Sequence, residues 1–449
     1  MRAYDMTVGH PLKLLVSFAL PLMLGNIFQQ LYTMVDTIIV GQGVGVTALA
    51  AVGASDWLNW MVLGSVLGMA QGFSIKMSQD FGAKDEAALR KTVAHSIVLS
   101  AIISVAFMVV SLALMVPVLK MMNTPDDIMG MALNYISIIF LGVPVVMGYN
   151  LLASILRAVG DSRSPLIAMV IASALNIALD LLFVMVFRWG VGGAAFATVL
   201  AQVVSGLFCL RVVLQLPMMS LKKSDFVMDW KYGLYLVKLG TPIALQMLLI
   251  SIGGIIVQSV VNGFGVAFIA GFTATNKMYG LLELAATAFG SAIVTYAGQN
   301  YGAKAYKRIR EGLKYEMVLG IAISVVIAAV MLVFGRPIVS MFVSGDAEIT
   351  AQTVEVAYQY LSIMSIALPV LYVLYILRSN IQGLGDTVLP MVSGFAEFVA
   401  RVAAALALPA LVGQSGIFYA EILAWVSADI VLVWAMIKHL KKLRRLEKA

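Results

Sequence analysis

The chain has 449 residues, of which 61% are hydrophobic and only 12% charged, with a mean hydropathy of +0.96. A soluble domain needs roughly a quarter of its residues charged, so this composition excludes that class and places the chain in a bilayer. The single cysteine, Cys209, excludes a disulfide framework and any cysteine-rich metal or redox motif. A net charge of +7 would favour nucleic-acid binding only if the basic residues formed a patch on a soluble face. We therefore expect no nucleic-acid partner.

Twelve apolar stretches follow one another along the chain, and each can cross a bilayer as a helix, which needs about 20 mostly apolar residues. The first carries Lys13 at its start, contains Asp36 and lacks a small-residue cleavage site, so it is predicted to be a retained span and not a signal peptide. Breaks at Gly, Pro and charged residues place the predicted helices at 14–40, 49–75, 94–117, 132–156, 165–187, 191–214, 237–261, 267–294, 316–334, 354–377, 388–411 and 417–437.

The basic residues predict the orientation of these spans. With a cytoplasmic N-terminus, most of the 30 Lys and Arg fall on the cytoplasmic side, as the positive-inside rule requires. The exceptions are Lys120, Arg188, Lys277, Arg336 and Arg401. We therefore expect a multi-pass protein of a prokaryotic plasma (inner) membrane with both termini cytoplasmic. Its Lys/Arg-rich tail is expected to rest against anionic lipid.

A six-helix unit occurs twice. At an offset of 220, GQGVGVTALAAVGASD aligns with VNGFGVAFIAGFTATN, and SQDFGAK with GQNYGAK. At 225, Pro144 aligns with Pro369 and RAVGDSRSP with QGLGDTVLP; near 223, GVGGAAFAT aligns with GQSGIFYAE. The pattern predicts an all-α integral membrane protein of two six-helix bundles related by a pseudo-two-fold axis along the membrane normal. The predicted parts are an N-lobe at 1–215, a cytoplasmic linker at 216–236, a C-lobe at 237–437 and a basic tail at 438–449.

Such a duplication favours a carrier that works by alternating access, although duplicated halves also occur in channels. A channel would differ in that its flux would not respond to loss of an ion gradient. An intramembrane enzyme would need a nucleophile with a base, or a metal cluster, inside the bilayer. No such His or Cys set exists in the sequence, so we expect no enzyme and no cofactor.

A carboxylate within an apolar span indicates a functional role, because placing its charge at bilayer depth costs several kcal/mol. Counting about 1.5 Å per residue from the outer helix ends places Asp36, Asp180 and Thr198 roughly 8, 12 and 9 Å deep, at one level of the N-lobe. Asn176 lies one turn before Asp180 on the same face. Oxygen ligands of this kind suit a small hard cation such as Na⁺, and paired carboxylates can equally carry a proton. A hydrogen-bonded structural network is the alternative.

The C-half does not repeat this cluster. Asn176 aligns with Arg401, Asp180 with Ala405, and Thr198 with Glu421. Coupling chemistry is therefore predicted in one lobe. Glu397 and Arg401, four residues apart, are expected to neutralise each other, with substrate contact as the alternative. Glu283 lies six residues from Lys277, cannot pair with it neatly, and is the first candidate for attracting a cationic substrate. Further candidates for lining a substrate cavity are Gln30, Tyr32, Gln246 and Gln258.

The segment MTVGHPLKLLVSFALPLMLGNIFQQLYTMVDTIIVG, the paired FGAK and YGAK loops, RAVGDSRSP with QGLGDTVLP, and GGAAFAT resemble the multidrug and toxic compound extrusion (MATE) transporters. The resemblance covers essentially the whole chain. It implies two six-helix lobes around a central cavity, and an N-lobe cation site at Asp36, Asn176, Asp180 and Thr198. Some members carry acidic residues in the seventh and tenth helices instead. The membrane-embedded parts of those helices hold Gln246, Gln258 and Tyr372 here but no carboxylate.

The resemblance implies a secondary active antiporter that exports cationic or amphipathic organic compounds in exchange for protons or sodium ions. The coupling ion stays open between the two. We expect a monomer, because two lobes already complete an alternating-access unit. The alternative is a flippase for lipid-linked precursors, from the wider superfamily of two-lobed exporters. Such proteins tend to show a cationic cavity, and only Lys277 and Arg401 would support a cavity of that kind here.

Overall fold

The computed structural model describes residues 4–122, 124–341 and 347–448, without the side chains of 46, 266 and 347–349. Helices account for nearly all of this part of the chain. They are α1 (Pro11–Gly43), α2 (Val46–Gly82), α3 (Glu86–Met121), α4 (Asp126–Leu141), α5 (Val143–Ala158), α6 (Arg163–Asp180), α7 (Gly190–Leu214), α8 (Trp230–Val261), α9 (Val266–Leu282), α10 (Leu284–Gly302), α11 (Tyr306–Ser340), α12 (Ala347–Ile366), α13 (Leu368–Gly383), α14 (Val388–Val412) and α15 (Ala420–Lys448).

These helices confirm the predicted all-α membrane architecture. Ten of the resulting segments are long and apolar enough to span a bilayer, and two bent pairs, α4 with α5 and α12 with α13, bring the number to twelve. Several predicted boundaries were wrong because hydropathy marks only the apolar part of a helix. The third helix, for example, begins at Glu86 and not at 94, since Asp85 caps it by accepting a hydrogen bond from the Ala88 N–H at 2.9 Å.

The two bent pairs occupy equivalent places in the repeat. One breaks at Gly142 with a bend of 46°, and the other at Ala367 with a bend of 49°. Each break lies just before a proline, Pro144 or Pro369, at the start of the following helix. Proline has no N–H to give and its ring excludes the carbonyl of the preceding turn, so a straight helix cannot continue through it. The fourth and tenth predicted helices are therefore each two helices.

The loop backbones repeat as well. Lys84 and Lys304, in the FGAK and YGAK loops, both have a φ of 57°, in the left-handed region that side chains other than glycine rarely adopt. Gly160 and Gly385 have φ values of 87° and 89°, at the offset of 225. Shared unusual backbone at aligned positions supports the sequence duplication independently of residue identity.

The chain folds into two compact units. The N-terminal unit comprises residues 4–8, Leu20–Leu248 and Tyr301–Lys304; the C-terminal unit comprises Gly9–Ala19, Leu249–Asn300 and the described residues from 305 onward. The lobe, linker and tail boundaries given above remain predictions.

Candidate functional site

Helix α1 lies along α6 in the N-terminal unit, and their register decides which polar side chains meet. A Cβ on Gly25 would lie 3.8 Å from the Leu166 side chain, and one on Gly43 would lie 2.6 Å from the Met185 sulfur. Between these points, the Ser173 hydroxyl donates to the Phe28 carbonyl at 3.4 Å. In these three contacts, higher residue numbers on α1 meet higher residue numbers on α6 and the segment after it, so the two helices are parallel.

This register brings the two predicted carboxylates together. The carboxyl groups of Asp36 and Asp180 are close enough to interact directly. Asp180 is 0% exposed and ends α6, while Asp36 is half-buried on α1. Two carboxylates in contact repel each other when both are ionised, so a proton or another cation between them is favoured.

The other two predicted residues also meet. The Asn176 side-chain N–H₂ donates to the Thr198 hydroxyl at 3.4 Å, and the Thr198 hydroxyl donates back to the Ala194 carbonyl at 3.1 Å. Asn176 is 1% exposed. Helix α7 thereby orients Thr198 toward α6, one turn from Asp180. All four residues selected from the sequence therefore lie on the facing sides of α1, α6 and α7.

Four oxygens of this cluster are buried and accept no hydrogen bond from any described residue. They are Asp36 Oδ1, Asn176 Oδ1, Asp180 Oδ1 and Asp180 Oδ2. Leaving one buried polar group unsatisfied costs about 1–3 kcal/mol, so four in one place indicate a site that takes a partner. The donor set is all oxygen with up to two negative charges, which fits a proton or a sodium ion.

Sequence reasoning missed two residues of this site. Tyr135, on α4, is 7% exposed and lies within electrostatic reach of Asp36, Asp180 and Tyr32. Asp56, on α2, lies within electrostatic reach of both Asp36 and Tyr135. Asp56 lies inside the predicted second span, so a stricter search for intramembrane carboxylates would have found it. No comparable signal singles out Tyr135, because tyrosine is common at membrane interfaces.

Helix α6 changes its geometry directly after Asp180. Residues Leu181–Val186 form a π-helical segment, a departure often found at functional sites. An aromatic cluster packs around this segment: Phe183 stacks on Trp189 with ring centroids 4.8 Å apart, and Phe187 and Phe196 join them. The cluster lies at the predicted outer end of the site.

In the C-terminal unit, the charges that sequence analysis singled out form a closed ion-pair network. Arg401 donates to Glu397 and to Glu421, each at 2.8 Å. Arg378 donates to the second oxygen of Glu397 at 2.7 Å. Glu397 and Arg401 are both 4% exposed. The expected pairing of Glu397 with Arg401 is thus present, within a larger network. Arg378 was missed because the predicted tenth helix ended one residue before it.

Glu283 lies between α9 and α10 and is half-buried. The Tyr375 hydroxyl donates to its Oε2 at 3.2 Å, and the Tyr279 hydroxyl also contacts it. The Tyr279 ring stacks on Trp425. Lys277 is exposed and is separate from Glu283, as their spacing predicted. The surroundings of Glu283 are therefore aromatic and hydrogen-bonding.

The remaining cavity candidates have different surroundings. Tyr32 lies near Asp36 and Asp180, next to the cation cluster. Gln30 is half-buried on the same helix. Gln246 is 1% exposed and is engaged in a polar interaction within the fold. Gln258 donates to the Asn262 side chain at 2.8 Å. Of these four, the structure brings only Tyr32 close to the carboxylates.

Comparisons with known proteins agree with this architecture. The MatE family model matches residues 21–182 and 242–406. The probable multidrug resistance protein YpnP of Bacillus subtilis is 31% identical over 418 residues, 93% of each chain. The multidrug export protein MepA of Staphylococcus aureus is 22% identical, over 92% of this chain and 90% of its own.

Solved structures share the fold over the full length. A crystal structure of MATE in a bent conformation superposes with a TM-score of 0.90 at 22% identity, covering 100% of both chains. An outward-facing multidrug resistance MATE family transporter gives 0.90 at 24% identity, covering 100% of this chain and 99% of its own. With a family model that matches both halves and a relative 31% identical over 93% of the chain, this protein belongs to the MatE family of multidrug and toxic compound extrusion transporters.

Proposed function

We propose that this transporter exports cationic or amphipathic organic compounds in exchange for protons or sodium ions, and that the coupling ion binds at Asp36, Asn176, Asp180 and Thr198. The observation that carries the proposal is the set of buried, unpartnered oxygens shared by Asp36, Asn176 and Asp180. Such oxygens are costly unless an ion visits them.

Ion binding changes the packing of the helices that supply these oxygens. With the site empty and ionised, Asp36 and Asp180 repel each other and α1 is pushed away from α6. A proton or sodium ion from outside removes this repulsion and draws α1, α6 and α7 together. If the cargo binds the separated arrangement better, ion binding releases it. Ion and cargo need not share atoms, because competition between two conformations is sufficient to couple them.

A cationic cargo is supported by the chemistry around Glu283. This carboxylate has Tyr279 and Tyr375 as hydrogen-bond partners, and Trp425 stacks on Tyr279. Aromatic faces beside a carboxylate suit an organic cation. Proteins similar to this chain bear the names multidrug resistance and multidrug export protein, which agrees with a varied organic cargo.

A flippase for lipid-linked pyrophosphates is less well supported. Such a cargo needs cations that are free to contact phosphate. Arg378 and Arg401, both buried, are already engaged by Glu397 and Glu421. Binding a pyrophosphate there would require breaking these pairs.

Bacterial relatives favour the cytoplasmic membrane as the location. The distribution of Lys and Arg supports cytoplasmic termini. In this orientation the basic end of α15, after Ile437, lies on the cytoplasmic side.

Efflux of ethidium from cells that lack their own pumps tests the proposal. Wild type is compared with Asp36→Asn in sodium-free buffer and after sodium is added. Asp127→Asn, an exposed carboxylate at the start of α4, is the matched control. We expect Asp36→Asn to lower efflux about tenfold or more, within the usual range of coupling free energies, and Asp127→Asn to leave it unchanged.

The two buffers identify the ion. Efflux by wild type without sodium assigns the proton, and efflux only with sodium assigns that ion. Unchanged efflux by Asp36→Asn in both buffers would overturn the proposed coupling site. Absence of efflux by wild type for every organic cation tried would overturn the proposed cargo and favour the lipid-linked alternative.

A further inference from the structure

A second buried carboxyl group lies in the C-terminal unit, away from both clusters described so far. Glu316, on α11, is 0% exposed, and both of its carboxyl oxygens lack a hydrogen-bond partner among the described residues. It is flanked one turn before and one turn after by Gly312 and Gly320. This pattern differs from the C-terminal ion-pair network, in which the carboxylates contact arginines.

The two glycines explain why Glu316 is so deeply buried. A Cβ on Gly312 would lie 2.2 Å from the Tyr296 ring on α10, and a Cβ on Gly320 would lie 2.6 Å from Ile376 on α13. Both contacts are possible only because glycine has no side chain. The Tyr296 ring of α10 and helix α13 therefore pack against α11 on either side of Glu316, which has no solvent-exposed surface.

The register between α11 and α13 identifies the residue that faces Glu316. A Cβ on Gly335 would meet Leu361 on α12, and one on Gly320 would meet Ile376, so α11 and the α12–α13 pair are antiparallel. One turn further along each helix, this register assigns Asn380 to the turn of α13 that faces the Glu316 turn of α11. Asn380 is also 0% exposed, and neither its side-chain oxygen nor its nitrogen has a hydrogen-bond partner among the described residues.

The titratable and charged groups of α10 and α11 near this pair have other partners. The Tyr296 hydroxyl donates to the Arg308 carbonyl at 2.9 Å, away from Glu316. Arg308 lies two turns earlier on the same face, roughly 12 Å along the axis, and its Nε donates to Asn300 at 3.0 Å. Glu311 pairs with Lys307 at 3.9 Å.

Most charges on α13 and α15 are engaged elsewhere. Asp429 of α15, whose buried Oδ1 has no hydrogen-bond partner among the described residues, interacts electrostatically with Arg378 and Glu397. Arg378 contacts Glu397 at 2.7 Å on the α14 side of α13. On α15, His439 contacts Asp386 at 3.0 Å. Glu447, at the end of α15, pairs with Arg310.

The titratable groups of the other helices are likewise turned elsewhere. Tyr372 of α13 donates to the Leu282 carbonyl at 3.1 Å. Glu283, which follows α9, accepts from Tyr375, and Glu355 of α12 pairs with Arg336 toward the far end of α11. None of these groups supplies a countercharge to Glu316.

A carboxylate cannot remain ionised in these surroundings at a modest cost, because neither water nor a cation compensates its charge. A neutral carboxylic acid can. It is not hydrogen-bonded to Asn380 in the structure, but a side-chain rotation would let its O–H donate to the Asn380 oxygen and its carbonyl accept from the Asn380 nitrogen. The three oxygens of this pair are too few for a hard metal cation, which takes about six or more. The chemistry therefore favours a proton.

We propose that Glu316 and Asn380 form a second proton-binding site, in which Glu316 holds a proton while α10, α11 and α13 are packed as described and releases it when they separate. Proton binding at Glu316 is independent of the proposed coupling through Asp36, but any contribution to transport rests on that proposed function.

Infrared spectroscopy of the purified full-length protein in lipid discs tests the binding step. Glu316→Gln, which has the shape of the protonated acid, should lose a carboxylic-acid C=O band that wild type shows at neutral pH. Glu311→Gln, which removes a surface carboxylate on the same helix, should keep the band. Asn380→Leu should shift the band to higher frequency, because the C=O loses its hydrogen bond.

Identical wild-type and Glu316→Gln spectra would overturn the proposal. A band that is unshifted in Asn380→Leu would overturn the pairing with Asn380, and this variant also decides the matter if Glu316→Gln does not fold. In proteoliposomes, Glu316→Gln should give a shallower pH dependence of ethidium transport, and an unchanged pH profile would overturn a role in transport. Failure of the Asp36 proposal would appear separately, as transport by Asp36→Asn with the Glu316 band intact.

Discussion

Replacing Arg401 with Met should strongly destabilise the C-terminal unit. Arg401 is 4% exposed and contacts two carboxylates, Glu397 and Glu421, each at 2.8 Å. It also packs on α8, since a Cβ on Gly253 would lie 3.2 Å from its Nη1. Methionine matches the length of the aliphatic part of the side chain but leaves Glu421 without its cation.

The magnitude follows from burial. Removing one partner of a buried ion pair costs about 3–5 kcal/mol, because the other charge stays desolvated and unpaired. The Arg336–Glu355 pair provides a matched comparison, as its side chains are 57% and 62% exposed. An exposed pair contributes about 0–1 kcal/mol, so Arg336→Met should cost no more than that.

Denaturant unfolding in detergent micelles, followed by tryptophan fluorescence, measures both variants. Trp425 is 1% exposed and stacks on Tyr279 in the same unit, so its emission reports on unfolding there. Two rescues should follow if the cost is an unpaired charge. Glu421→Gln added to Arg401→Met should restore about 1 kcal/mol or more, and free guanidinium should partly stabilise an Arg401→Ala variant.

A loss below about 1 kcal/mol for Arg401→Met, equal to that of Arg336→Met, would refute the reasoning. It would show that Glu397 and Glu421 are solvated despite their position in the fold. A large loss without rescue by Glu421→Gln would also refute it, because the effect would then come from packing and not from charge.

Two further predictions concern single contacts. Tyr135→Phe should leave folding intact but shift the pH dependence of ethidium efflux, because the Tyr135 hydroxyl lies within electrostatic reach of Asp36 and Asp180. An unchanged pH profile would exclude Tyr135 from the site. Burial opposes ionisation of Asp386, but hydrogen bonds from His439 and backbone N–H groups hold its pKa below the usual value. Asp386→Asn keeps an oxygen for the Leu389 N–H but loses the carboxylate charge that these groups favour, so it should cost about 1 kcal/mol at neutral pH. The difference from wild type should vanish as pH falls through the lowered pKa, and a difference that grows on acidification would contradict this.

The fold could be predicted largely from the sequence, because a bilayer leaves the backbone few alternatives to apolar helices. The exceptions have local causes. Pro144 and Pro369 were recognised as repeated residues, but hydropathy does not report the helix bends that they cause. The start of α3 was misplaced because the helix begins at the Asp85 cap, before the apolar run. A boundary one residue too short hid Arg378, which anchors the ion-pair network.

The sequence predicted a site residue only where a polar side chain lies at the same depth in the membrane as the other polar side chains. Asn176 and Thr198 were selected by depth, and the structure brings them into contact. Tyr135, on α4, lies within electrostatic reach of Asp36 and Asp180 because of the tertiary fold, which no local sequence pattern records. The juxtaposition of Glu316 with Asn380 depends on the register of two helices far apart in sequence, which spacing alone cannot supply.

The repeat shows how the two halves have come to differ. Asn176 and Thr198 touch in the N-terminal half, and the residues aligned with them, Arg401 and Glu421, touch in the C-terminal half. The first pair leaves the buried Asn176 Oδ1 without a hydrogen-bond partner among the described residues, whereas the second contains a covalently attached guanidinium. Because this cation is covalently attached, we expect it to stay paired with its carboxylates. We therefore expect coupling at this position of the repeat only in the half where the cation is mobile.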